Sequence, residues 1–295
     1  MKINPVYLKE LKLSVRSAKI AFTILGFNLL LAFISLFVYY LYFDVASKYG
    51  AVDYSQIFVV YMMLAIIELG LVLFIVPAYT AGSIAGEREK QTLEILLTTK
   101  LTPGQIIIGK LASSISLLLF LVFSSLPILA IVFSVGGISY QHIFQILLLI
   151  VVTAIFVGSI GICFSTILKK TIPATVFTYG AVVVLIVGTV VITWVIYSVV
   201  GIDYNSKDVS AIKPGIGNGV LLLLINPAVS MCSMMTRQFG SYVTFKDTIA
   251  SIGECNQVFL DHWFEISLAV QLVFATFFIF LATKLLNPLK KKNKK

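Results

Sequence analysis

Residues 57–79 read IFVVYMMLAIIELGLVLFIVPAY, an apolar run interrupted by a single ionisable side chain, Glu68. A helix rising 1.5 Å per residue needs about 20 such residues to cross a hydrocarbon core roughly 30 Å thick. It also satisfies its own backbone hydrogen bonds where no water can. The stretch therefore predicts a transmembrane helix. Five more runs meet the same test: Ile20–Phe43, Leu111–Val135, Ile143–Leu168, Ile172–Val200 and Phe264–Thr283. Together they predict an all-α membrane protein with six transmembrane helices, forming one transmembrane domain over residues 1–295. The chain is 59% hydrophobic and 12% charged, whereas soluble domains run near about 45–50% apolar and about 25% charged. The first apolar run follows a charged stretch and lacks a small-x-small cleavage site, so it is expected to stay as the first span.

The formal charge of +9 does not point to nucleic acid, because the basic residues cluster beside the apolar runs. Of the 22 Lys and Arg residues, 17 fall on one side if the spans alternate. That side, which holds both termini, Arg88, Lys110 and Lys169-Lys170, is expected to be cytoplasmic. Tyr39, Tyr40, Tyr42, Trp194, Tyr197 and Trp263 fall at the opposite ends of their spans, where amphipathic rings favour the headgroup level. The basic tail 287–295 is expected to meet anionic lipid headgroups.

Three segments outside the spans carry pattern. Residues 1–19 form an amphipathic interfacial elbow: Asn4-Pro5 caps a helix that sets Ile3, Tyr7, Leu11 and Val15 opposite Lys9, Lys12 and Arg16. The outer connection 201–263 contains the apolar stretch Gly219–Met235, broken at Asn226-Pro227, an N-cap followed by a first helical position. Its uninterrupted part is short for a span, which suggests a re-entrant or interfacial hairpin, with two additional spans as the alternative. Between the second and third spans, residues 84–101 predict a coupling helix. There Glu87, Gln91, Glu94 and Thr98 make a polar stripe opposite Leu93, Leu96 and Leu97. Thr102-Pro103-Gly104-Gln105 then restarts a helix with a capping box.

Chemistry is sparse. No HExxH, GxSxG or phosphate-binding loop ending in Gly-Lys-Ser/Thr is present. Any ATP used must be bound by another chain, and this one needs no catalytic residue, cofactor or metal. Cys163, Cys232 and Cys255, with His142 and His262, lack the spacing of a metal site. Cys232 and Cys255 share the outer segment, where pairing is open to them. Glu68 sits deep in the second span, where a charge is costly, so it faces the bundle interior or is protonated. It is the candidate for an intramembrane gate or pathway residue, against a structural role as partner to a Ser or Thr on a neighbouring helix.

Several of these features resemble the type-two permease family of ABC exporters. They are the cytoplasmic Asn4-Pro5 helix, the connection Gly86-Glu87-Arg88-Glu89-x-x-Thr92-Leu93-Glu94-x-Leu96-Leu97-Thr98-Thr99, Pro103, and Gly109-Lys110 leading into the third span. The six-span layout and Asn226-Pro227 extend the likeness over most of the chain. The resemblance implies a non-catalytic permease subunit in a bacterial plasma membrane, with ATP and Mg bound by a partner cytoplasmic ATPase. It also implies a second permease subunit, the same chain or a related one, around a shared route. Glu87 and Arg88 would tie the coupling helix to its own subunit or to the elbow, and Gln91, Thr92, Glu94 and Thr98 would serve the ATPase. The cargo class is open among an amphipathic peptide, a hydrophobic drug and a lipid. The competing readings are an ion-coupled secondary carrier using Glu68, which should show inverted repeats, and a non-transporting sensor or scaffold.

Overall fold

The computed structural model describes residues 5–15, 17–49, 55–136, 140–205, 217–238, 240, 245–249 and 257–286. Asn4, Arg16, Cys255 and the tail 287–295 lie outside the described residues, as do residues 206–216, 239, 241–244 and 250–256 of the connection 201–263. Every regular element described is helical. The helices are α1 (Pro5–Val15), α2 (Ala18–Tyr49), α3 (Ser55–Thr80), α4 (Ala85–Glu89), α5 (Leu93–Leu97), α6 (Pro103–Gly136) and α7 (Tyr140–Ile167). A fifth long helix begins as α8 (Thr171–Val183), passes through a π turn at Val184–Gly188 and continues as α9 (Thr189–Asn205). A 3-10 segment (Gly217–Ile225), α10 (Pro227–Gln238), α11 (245–249), α12 (Gln257–Asp261) and α13 (Trp263–Leu286) complete it. Among the described residues, six helices are long and apolar enough to cross a membrane.

The central helix is α7. Its apolar window is 78% buried, against 11% for α2 and 17% for the α8–α9 helix, which places those two at the margins. Close approach of α7 to α3 depends on two glycines one turn apart. A Cβ at Gly161 would lie 2.1 Å from Thr80 Oγ1 on α3, and one at Gly158 would lie 3.5 Å from Thr80 Cγ2 and Val76 Cγ1 on α3 and 3.0 Å from Leu111 Cδ1 on α6. Small residues let backbones pack closely where lipid supplies no hydrophobic drive between helices. Tyr61, Leu69, Val72, Leu149 and Val157 fill the core that results.

Two helix starts form as their local sequence dictates. Thr102 N–H donates to Gln105 Oε1 (3.0 Å) and Gln105 N–H donates back to Thr102 Oγ1 (3.3 Å), closing the capping box at α6. Asn226 Oδ1 accepts from Ala228 N–H at 2.9 Å, capping α10 with Pro227 in the first position. The Asn226 amide also donates to Ile186 O (2.8 Å) and Thr189 Oγ1 (2.9 Å), so it pins α10 to the π turn of the fifth span.

Trp263 opens the sixth span, as the sequence suggests, with its ring turned into the protein. It is fully buried, edge-on to Phe245 and covered by Leu223, Leu224, Ile249 and Leu260. The 3-10 segment and α11 fold over it, and no pattern local to residue 263 announces that cover.

Candidate functional site

The site lies where α1, α4, α5, the start of α6 and the α7–α8 turn converge. The sequence projected one helix over Glu87–Thr98, but the chain makes two helices of five residues each, broken at Lys90–Thr92. Gln91 holds a left-handed backbone with φ +57°, unfavourable for a residue with a Cβ. The break is held by Glu87. Its carbonyl accepts from Thr92 N–H (2.9 Å), and its Oε2 accepts from the Thr92 hydroxyl, whose oxygen also lies 3.2 Å from that carbonyl. The backbone bond occupies the carbonyl in a tight reversal.

From this corner α4 is tied down on three sides. Ser165 Oγ on α7 accepts from the backbone N–H groups of Ile84 and Ala85, both at 2.9 Å, which satisfies free donors at the helix start. Arg88 donates to Thr166 O (3.2 Å) and Leu168 O (3.1 Å), two carbonyls at the α7 C-terminus. Glu89 accepts from Thr171 N–H (3.0 Å) and Thr171 Oγ1 (2.9 Å) at the α8 N-terminus. A cation at a helix C-terminus and an anion at a helix N-terminus both complement the macrodipole. The bonds from the Thr171 backbone and hydroxyl hold the Glu89 carboxyl below its ordinary range.

The third tie is ionic. Lys110, near the start of α6, is only 3% exposed. Its Nζ lies 2.6 Å from Glu10 Oε1 on α1 and 3.2 Å from Glu87 Oε1 on α4. Two carboxylates around one buried ammonium make removal of the cation costly. α3 ends at Thr80, so α4 lies beyond that helix. Partial burial pushes the Glu87 carboxyl up. The hydrogen bond from Thr92, the charge and hydrogen bond of Lys110 and a weaker pull from Lys9 outweigh it, and the group is held below the carboxylate range.

The six residues projected for this segment thus divide. Glu87 and Arg88 turn inward and bind the bundle. Gln91, Glu94 and Thr98 are exposed, and Thr92 is exposed with its hydroxyl committed to Glu87. Leu93 is buried, with Leu96 and Leu97 packed on the same cluster. Sequence reasoning gave no role to Glu10, Glu89, Lys110 and Ser165, whose partners lie far away in the chain. It also passed over Ile95, 68% exposed amid the polar surface of α5; an isoleucine set between Glu94 and Leu96 carried the signal.

Glu68 is 1% exposed on α3. Ser125 Oγ on α6 lies 2.7 Å from its Oε1. The other oxygen, Oε2, has no hydrogen-bond partner among the described residues.

Residues 4–233 match the family model described as ABC-2 family transporter protein. The chain belongs to that family. No curated protein matches it. As a multi-pass ABC-2 permease subunit, it is of a kind whose ATPase is generally a partner chain. In this ABC-2 permease the short helices between the second and third spans form the exposed end of a structure anchored on α1, α6, α7 and α8.

Proposed function

We propose that this permease subunit couples to a separate cytoplasmic ATPase through the surface formed by Gln91, Glu94, Ile95 and Thr98. The observation that carries the reading is the division of labour along the twelve residues from Glu87 to Thr98. Glu87, Arg88 and Glu89 bind the bundle, while Gln91, Glu94 and Thr98 form an exposed polar surface with one exposed apolar residue, Ile95. A partner that moves α5 moves α4, and α4 holds the α7–α8 turn and the α1–α6 ion pairs. In this reading α1 is the interfacial elbow and both termini are cytoplasmic, as the excess of Lys and Arg on that side supports. Two permease subunits and two ATPase chains form the exporter. The small outer portion suits an amphipathic peptide, a hydrophobic drug or a lipid taken from the inner leaflet.

The test is co-purification of the ATPase with wild type, Glu94→Lys and Ile95→Asp in detergent, with Lys291→Glu and Lys292→Glu as controls. A wrong charge at a docked surface costs several kcal/mol, and about 1.4 kcal/mol is tenfold in affinity. Both surface variants should lose the partner by tenfold or more while the controls keep it. Retention of the ATPase with normal coupled transport in both surface variants would sink the proposal.

A further inference from the structure

Ser125 Oγ is within hydrogen-bond distance of two acceptors at once: Glu68 Oε1 at 2.7 Å and Val122 O, one turn back in its own helix, at 2.8 Å. A serine hydroxyl carries one hydrogen. It can complete one of these bonds. The other would bring two oxygen lone pairs together with nothing between them, unless the second hydrogen comes from Glu68.

The adjacent serine shows the arrangement with its hydrogens accounted for. Ser124 Oγ donates to Leu121 O at 2.6 Å and accepts from the Asn28 amide at 2.7 Å. Ser125 repeats that geometry on the next face of α6, with a glutamate where Ser124 has an amide donor. A carboxyl can take the donor's place only when protonated.

We infer that Glu68 and Ser125 form a proton-binding site sealed between α3 and α6. The carboxylic acid donates from Oε1 to Ser125 Oγ, and Ser125 donates to Val122 O. Two further observations agree. Glu68 makes no ion pair among the described residues, and its Oε2 is buried without a partner. A lone carboxylate oxygen would be far more costly to leave bare than the carbonyl oxygen of a neutral acid.

The titratable groups on α3 and on the helices packed against it are otherwise placed. On α6, Lys110 is bound to Glu10 and Glu87. On α8, Tyr179 Oη donates to Phe74 O. On α3 itself, Tyr61 Oη donates to Gln238, and Tyr79 Oη pairs with Thr23. The others among the described side chains are Tyr39 and Tyr40, both exposed on α2, and Tyr140, exposed at the start of α7, with His142 and Cys163 further along it. None of them forms a hydrogen bond or ion pair with Glu68. The site rests on these contacts alone and holds whether or not an ATPase docks on α5.

The test is infrared difference spectroscopy on the full chain in lipid nanodiscs at neutral pH, with wild type, Glu68→Gln and Ser125→Ala. Wild type should show the carbonyl band of a protonated carboxylic acid. That band should vanish in Glu68→Gln, whose amide can donate to Ser125 in the acid's place and keep the fold. In Ser125→Ala the band should move to higher frequency, since the acid loses its acceptor. Absence of the band from wild type, or its survival in Glu68→Gln, overturns the inference. So does a band that Ser125→Ala leaves in place, and that arm does not depend on the Glu68 variant folding.

Discussion

Arg88 and Glu89, neighbours in the chain, grip the facing ends of two consecutive helices: the guanidinium closes the C-terminus of α7 and the carboxylate caps the N-terminus of α8. The three-residue turn between those helices, Leu168 to Lys170, is held from outside by a segment 80 residues earlier. The α4 helix therefore cannot shift without carrying the α7–α8 turn.

The two grips should differ in strength. Arg88→Ala strips two charge-assisted donors from partly buried carbonyls and should lower stability by about 2 kcal/mol. Glu89→Gln keeps one accepting oxygen and loses mainly the interaction with the helix dipole, which solvent screens at this exposed position, so its effect should be smaller. Thermal melting of the purified permease in detergent checks the order; an equal or reversed effect would contradict it.

Lys110→Met leaves Glu10 and Glu87 facing each other without their cation. The loss should be about 3 kcal/mol, near the lower limit for breaking a buried pair because both carboxylates are partly exposed. Glu87 is held below its ordinary range in the fold, so its contribution is complete above an unfolded value of about 4.3 and fades as pH falls through the folded one. The stability gap between wild type and Lys110→Met, followed by melting from neutral to acidic pH, should shrink on acidification, because protonation relieves the variant's two facing carboxylates and removes the wild-type ion pairs. A gap that widens on acidification would contradict the ion-pair assignment.

Gly161→Ala places a methyl group 2.1 Å from Thr80 Oγ1 and 3.0 Å from Thr80 Cβ. Overpacking of this kind costs about 1–3 kcal/mol. Thr80→Ala in the same chain removes the hydroxyl and should restore part of the loss. If Gly161→Ala melts like wild type, α3 and α7 are not as closely packed as described.

Asn226 serves two partners through different atoms, and variants can separate them. Asn226→Asp keeps the oxygen that caps α10 but turns a carboxylate toward Ile186 O, whereas Asn226→Ala loses both functions. The cap alone is worth about 1 kcal/mol. Each variant should destabilise this end of the bundle by more than that, and hydrogen exchange should rise in the π turn Val184–Gly188 in both. Protection of the π turn that is unchanged in Asn226→Asp would show that the amide does not hold it.

Read alone, the sequence determined the spans, the helix starts and the family resemblance, because each depends on neighbouring residues. Twenty apolar positions need lipid wherever they fold, and Thr102 with Gln105, or Asn226 with Pro227, can satisfy a helix end unaided. Tertiary structure decided the rest. Lys110 finds Glu10 across 100 residues and Glu89 finds Thr171 across 82, through the approach of whole helices. The same approach buried Trp263 and divided a projected helix at Gln91. A helical projection assumes that every residue serves its own helix. At Glu87 the carbonyl serves a local reversal closed by Thr92, while the carboxylate also serves Lys110, a bond that exists only once α4 and α6 have packed.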